Sequence, residues 1–168
     1  MKMVRKWIFL TEALNIVLAT TVEHAERLAV FREARNYANS VGKPLLNYGC
    51  GYKEPFISLS DINVDIVPRN VKNFMLAPPD STNLPFKDKE VVTFCSHVLE
   101  HVENPTHLLK ELNRISDRLY IVLPKWWNIG AWIHPGHKRM YIGKYCIERP
   151  QSLAVPLLVS INFIALIT

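Results

Sequence analysis

Between Leu45 and Leu123 the chain alternates short apolar runs with turn-forming residues. Leu45–Tyr48, Ile62–Ile66, Phe74–Leu76, Val91–Cys95 and Leu119–Leu123 are each of strand length, and each ends at a loop rich in Gly, Pro, Asn or other polar residues. Two stretches carry a helical period instead. In Thr20–Ala38 the residues Val22, Ala25, Ala29, Val30, Ala34 and Ala38 form one face. Thr20 and Glu23, at capping-box spacing, predict its start, and Gly42 and Pro44 its end. Asn104 is placed to cap a second helix, with Pro105 in the first turn and Leu108, Leu109, Leu112 and Ile115 along the inner face. Strands alternating with helices predict an α/β fold with a mainly parallel sheet. Such sheets bind ligands beyond the carboxyl ends of their strands.

Length and composition narrow this picture without redirecting it. The chain has 168 residues, enough for one domain with a real core. An apolar fraction of 49% with 21% charged residues fits a folded chain and argues against disorder. Twenty basic against 15 acidic residues give a net charge of +5, but the basic residues are scattered, so nucleic acid is not indicated as a partner. Cys50, Cys95 and Cys146 are odd in number and far apart, which fits a reducing compartment and excludes a disulfide frame.

The residues that carry chemistry follow the strands. Leu45-Leu46-Asn47-Tyr48 runs into Gly49-Cys50-Gly51, a turn in which missing Cβ atoms allow positive φ or the close approach of a ligand. Asp65 ends the second strand, where nucleoside-binding sheets place a carboxylate for the ribose hydroxyls. A turn before Pro68 explains Asp65 equally simply. Asp80-Ser81-Thr82-Asn83-Leu84-Pro85-Phe86 joins an acidic residue to apolar walls, and Ser96-His97-Val98-Leu99-Glu100-His101-Val102 closes the fourth strand. In this order and spacing the four segments resemble the class I, S-adenosylmethionine-dependent methyltransferases, and among them the small type 11 domains. The resemblance covers about Pro44 to Tyr141.

That resemblance implies a Rossmann-like sheet with helices on both faces, the final strands of the usual set being in question because the chain is short after Tyr141. It implies S-adenosylmethionine as cofactor, with Asn47, Gly49, Gly51, Asp65, Asp80, Ser81 and Ser96 at its site. Gly49 and Gly51 would pass the methionine moiety close to the backbone, and Asp65 would bind the ribose. Asp80 and the Ser81 N–H would meet the adenine, and Ser96 and His97 would lie under the sulfonium. Two residues depart from the family's pattern. Asn47 stands where an acidic residue is usual, and Lys53 where a third glycine is usual. So short a stretch separates Gly51 from the second strand that the helix between them can have a turn or two at most. These departures leave a non-catalytic, cofactor-binding or membrane-attached scaffold as the alternative function.

Methyl transfer needs a general base only when the acceptor must lose a proton. The candidates are His97, His134 and His137, with His101 beside them; His134 and His137 fall in the loop expected to cover the acceptor. Trp126, Trp127 and Trp132 offer either an apolar surface for an acceptor or a membrane interface, or ordinary core under a long loop. His97-x-x-Glu100-His101 also fits the inverted zincin pattern of metallopeptidases. That pattern requires both histidines on one well-formed helix, whereas this string starts at a strand end, so no structural metal is expected.

The ends remain. Basic Met1–Lys6 followed by apolar Trp7–Val22 has the outline of a signal peptide, but Glu12 and Asn15 interrupt it, which argues for a docking helix. Ser152–Thr168 has no charged residue and reads either as a membrane anchor or as two last strands, Leu153–Val159 and Ile161–Ile167. The chain thus divides into a helical segment 1–41, a methyltransferase-like domain 42–150 and an apolar tail 151–168. The expected setting is cytoplasmic, free or attached to the cytoplasmic face of a membrane through 152–168, and the expected partner is a small-molecule or lipid-like acceptor.

Overall fold

Each of the five apolar runs forms a strand of one parallel sheet in the computed structural model, which describes residues 2–78, 83–142, 145–148 and 163–165, with backbone alone for 2–9 and 163–165. The strands are β1 (Leu45–Tyr48), β2 (Ile62–Asp65), β3 (Phe74–Leu76), β4 (Val91–Ser96) and β5 (Ser116–Val122). Their order is β3-β2-β1-β4-β5. The order reverses between β1 and β4, and the crevice beyond their carboxyl ends is the binding position of a doubly wound sheet. β1, β2 and β4 are buried almost throughout, as expected of central parallel strands covered on both sides.

Three helices accompany these strands: α1 (Lys2–Val41), α2 (Phe56–Leu59) and α3 (Pro105–Ile115). From α1, Phe31, Ala34 and Ala38 pack with Leu45, Phe56, Val92, Phe94, Tyr120 and Val122 into one apolar cluster. Phe31 meets Phe56 and Phe94 edge-on, with centroids 5.1 Å away in both cases. The strand residues of this cluster have one parity, so α1 and α2 cover one face of the sheet. α3, the crossover from β4 to β5, takes the other and buries Leu108, Leu112 and Ile115. Asn104 caps it, its side chain accepting from the His107 N–H at 3.1 Å, and α2 is held to a single turn, both as the sequence predicts. Glu111, not Leu109, completes the buried face of α3; it pairs with Arg114 at 2.6 Å and accepts from the Leu84 N–H at 2.7 Å.

The start of α1 corrects the sequence reading. Thr20 and Glu23 do not cap a helix, because the helix is already five turns old there. The Thr20 hydroxyl donates to the Ile16 carbonyl inside the continuous helix. Glu23 is buried and accepts from the Lys125 N–H at 2.7 Å and from the Asn128 amide at 3.0 Å.

The chain divides into two compact units, Arg27–Val122, described above, and Met1–Glu26 with Leu123–Thr168. The second unit holds α4 (Ile129–Ile133) and an antiparallel sheet of β6 (Arg139–Ile142), β7 (Tyr145–Glu148) and β8 (Phe163–Ala165), in the order β6-β7-β8. The last strands therefore form a sheet of their own. Of the tail, residues 163–165 are a strand paired with β7. The expected strand Leu153–Val159 lies outside the described residues, as does all of the anchor expected over 152–168 except residues 163–165. Among the described residues no helix is long and apolar enough to cross a membrane.

Candidate functional site

The loop after β1 is built around two left-handed glycines, Gly49 at φ 73° and Gly51 at φ 55°. Gly49 is pinned from above: a Cβ there would stand 2.2 Å from Val98 Cγ2, so the loop after β4 packs directly onto it. Gly51 differs, since no atom lies within 4 Å of where its Cβ would be. One glycine thus joins the two loops of the crevice, and the other faces open space.

Asp65, at the end of β2, belongs to the same place. Its Oδ2 accepts from the Gly51 N–H at 3.1 Å and from Arg69 Nε at 3.1 Å, while Oδ1 accepts from the Val67 N–H at 3.0 Å. Sequence reasoning missed Arg69, whose guanidinium also lies 4.8 Å from the ring centre of Tyr52. Neighbouring Cys50 is held as a thiol, pushed up to about 11 by burial and then by the Asp65 charge.

Asn47 faces into the sheet. Its amide donates to Asn63 Oδ1 at 3.2 Å, across the register pair the two residues form. Asn63 in turn donates to the Ile57 and Lys72 carbonyls at 3.0 and 2.9 Å. The departure from an acidic residue therefore serves a buried amide ladder. Asp80 and Ser81 lie outside the described residues. Lys53 sits in the loop between Gly51 and α2, a position that the single turn of α2 leaves non-helical.

Beyond β4, Ser96 is 6% exposed and its hydroxyl has no hydrogen-bond partner among the described residues. His97 follows at φ 56°, a left-handed conformation uncommon outside glycine, which Asn, Asp and His adopt more readily than other residues. It is fixed there by its N–H donating to the Val122 carbonyl at 2.9 Å. Glu100 is fully buried, with Oε1 3.8 Å from His97 Nδ1 and 4.0 Å from His101 Nε2. Residues 97–101 form a turn rather than a helix, so the H-x-x-E-H string does not present its histidines from one helical face.

His134 and His137 belong to the other unit. His134 is the C-cap of α4, and its Nδ1 accepts from the Gly136 N–H at 3.2 Å. The rings of His134 and His137 lie 4.4 Å apart. Of the tryptophans in that unit, Trp126 is exposed, Trp127 and Trp132 are half-buried, and Trp132 Nε1 donates to the Trp126 carbonyl at 2.6 Å.

Neither a curated protein nor a solved structure matches the chain. Residues 46–118, from β1 into the start of β5, match the methyltransferase domain family. The matched stretch contains the Gly49–Gly51 turn, Asp65, Ser96 and the His97–Glu100–His101 cluster on a Rossmann-like parallel sheet, an arrangement consistent with a class I methyltransferase domain.

Proposed function

We propose that the domain transfers a methyl group from S-adenosylmethionine to a small-molecule or lipid-like acceptor on the cytoplasmic side of the cell. The observation that carries this reading is the convergence of three features at the carboxyl ends of β1, β2 and β4. They are the open glycine Gly51, the Asp65 carboxylate and the buried Ser96 hydroxyl. All three fit a nucleoside joined to an amino acid: a carboxylate for a diol, a backbone without a Cβ in the way, and a polar group that lacks a partner. Asp65 would take the ribose hydroxyls in exchange for Arg69 Nε, the one of its three donors carried on a flexible side chain. Asp80 and the Ser81 N–H would meet the adenine, and Asn47 would act through the β1–β2 ladder that shapes the loop.

The bound cofactor supplies a methyl group made electrophilic by a sulfonium whose charge is lost on transfer. The protein's share is alignment in a dry crevice, which contributes on the order of 7–11 kcal/mol in well-oriented systems. His97 is our first choice for a proton acceptor, because Glu100 lies 3.8 Å behind its Nδ1 and favours the imidazolium that would form. His134 and His137 are the other candidates. The test is a transfer assay with methyl-labelled cofactor and a metabolite extract, run with and without membranes. Label should pass to a small organic-soluble or water-soluble product. Binding of the cofactor with no transfer to any fraction would favour the non-catalytic alternative, for which the Arg69–Asp65 pair is the supporting observation.

A further inference from the structure

The first half of α1 carries an apolar face that is exposed among the described residues. Leu10, Leu14, Val17 and Leu18 are 51%, 67%, 63% and 56% exposed. They stand at i, i+4, i+7 and i+8, one stripe of an α-helix. The opposite side holds the buried groups, Ala19 and Glu23. A helix in a soluble unit ordinarily points such a stripe inward. Here the apolar side faces out and the side that binds Lys125 and Asn128 faces in.

We infer that this stripe docks the protein onto an anionic lipid surface, with α1 lying along the head-group boundary. Three observations select that occupant. First, Lys2, Arg5 and Lys6 fall in the first two turns of α1, and no acidic residue precedes Glu12. A basic end leading into an apolar stripe complements negative head groups above acyl chains. Glu12 stands two turns before Ala19 and so on the side away from the stripe. Second, the polar groups beside the stripe are already satisfied. The Thr20 and Thr21 hydroxyls each donate within the helix at 2.8 Å, to the carbonyls of Ile16 and Val17, so burial in lipid strands no donor there. Third, a second copy in parallel register would bring the two basic ends together without a counter-charge. The same unit also exposes Trp126 and Ile133, residue types that suit the boundary between water and hydrocarbon. The inference is independent of which acceptor the methyl group reaches.

The test is flotation of the full chain with vesicles of phosphatidylcholine alone or mixed with phosphatidylglycerol, for the wild type and for the double variant Leu14→Glu with Val17→Glu. Both substitutions are at exposed positions, and circular dichroism with a thermal melt verifies that the variant is folded. Wild type should float with the mixed vesicles, less with the neutral ones and less at high salt. The double variant should lose about tenfold or more of that binding. Three results overturn the inference. One is a wild type that ignores anionic vesicles. Another is binding unchanged in the double variant, which would assign any attachment to another segment. The third is a dimer in sedimentation velocity that the same variant dissolves, which would make the face a contact between copies.

Discussion

In the nucleoside site proposed above, Arg69 sets Asp65 before anything binds. Its Nε and the Gly51 N–H share Asp65 Oδ2, so an incoming diol competes with a partly exposed ion pair. Such pairs contribute about 0.2–1 kcal/mol, so Arg69→Ala should tighten cofactor binding by up to about fivefold. Calorimetry on the variant checks this, and weaker binding would mean that Arg69 itself holds the ligand. Gly49 yields a second prediction. Alanine there meets Val98 Cγ2 at 2.2 Å and also needs a left-handed φ. Gly49→Ala should therefore destabilise the unit by about 1–3 kcal/mol from overpacking, with about 1 kcal/mol more from the backbone. Adding Val98→Ala should restore the first part and not the second, as read from denaturant midpoints. That Gly49, Gly51, Asp65 and Ser96 stand at strand ends was legible in the sequence, because strand ends followed by Gly, Asp or Ser are local signals. Arg69 was not, since a pairing four residues on is expected only within a helix and this one is made in a loop. The buried ladder of Asn47 and Asn63 was equally hidden, because it depends on the register of two strands.

At the level of elements, α3 shows how a polar residue can hold a packed face. Glu111 is buried among leucines, and the Arg114 guanidinium, followed by the Leu84 N–H, holds its carboxyl below the usual range against the opposing effect of burial. A carboxyl lowered in the folded state contributes stability that is complete above its unfolded pKa, about 4.3, and is lost as pH falls through the folded value. The chain should therefore lose stability in acid below about pH 4, and Glu111→Gln should be less stable at neutral pH while losing less on acidification. Thermal melts between neutral and acid pH, wild type against variant, measure the difference. The Asn104 cap, Pro105 and the leucine spacing made α3 readable from sequence, with Leu109 the one misplaced residue of its face. The start of α1 was misread because Thr20 and Glu23 have the spacing of a cap, while Glu23 serves Lys125 and Asn128, more than a hundred positions away. A local motif cannot reveal a partner that distant. β6 and β7 were also missed. Ile142-Gly143-Lys144-Tyr145 is a two-residue hairpin signal, but Arg139 and Glu148, which pair across the strands, disguise the alternation.

For the whole molecule, the five strands in the order β3-β2-β1-β4-β5 and the family match over residues 46–118 fall on the same parallel sheet, and unit Arg27–Val122 holds every described residue at the carboxyl ends of β1, β2 and β4. The strand-and-helix alternation was enough to predict this sheet, because each element of a βαβ chain is locally patterned. It could not predict the second unit, which gathers both ends of the chain. Everything proposed about activity depends on the crevice accepting S-adenosylmethionine through Asp65. Isothermal titration of the full chain with S-adenosylmethionine and with its demethylated product, beside the Asp65→Ala variant, tests that most directly. Removing the charged acceptor loses roughly 1.5–3 kcal/mol. The account predicts saturable binding by the wild type and an affinity about 10–100-fold lower in Asp65→Ala. No binding by the wild type, or the same constant for both proteins, would contradict it.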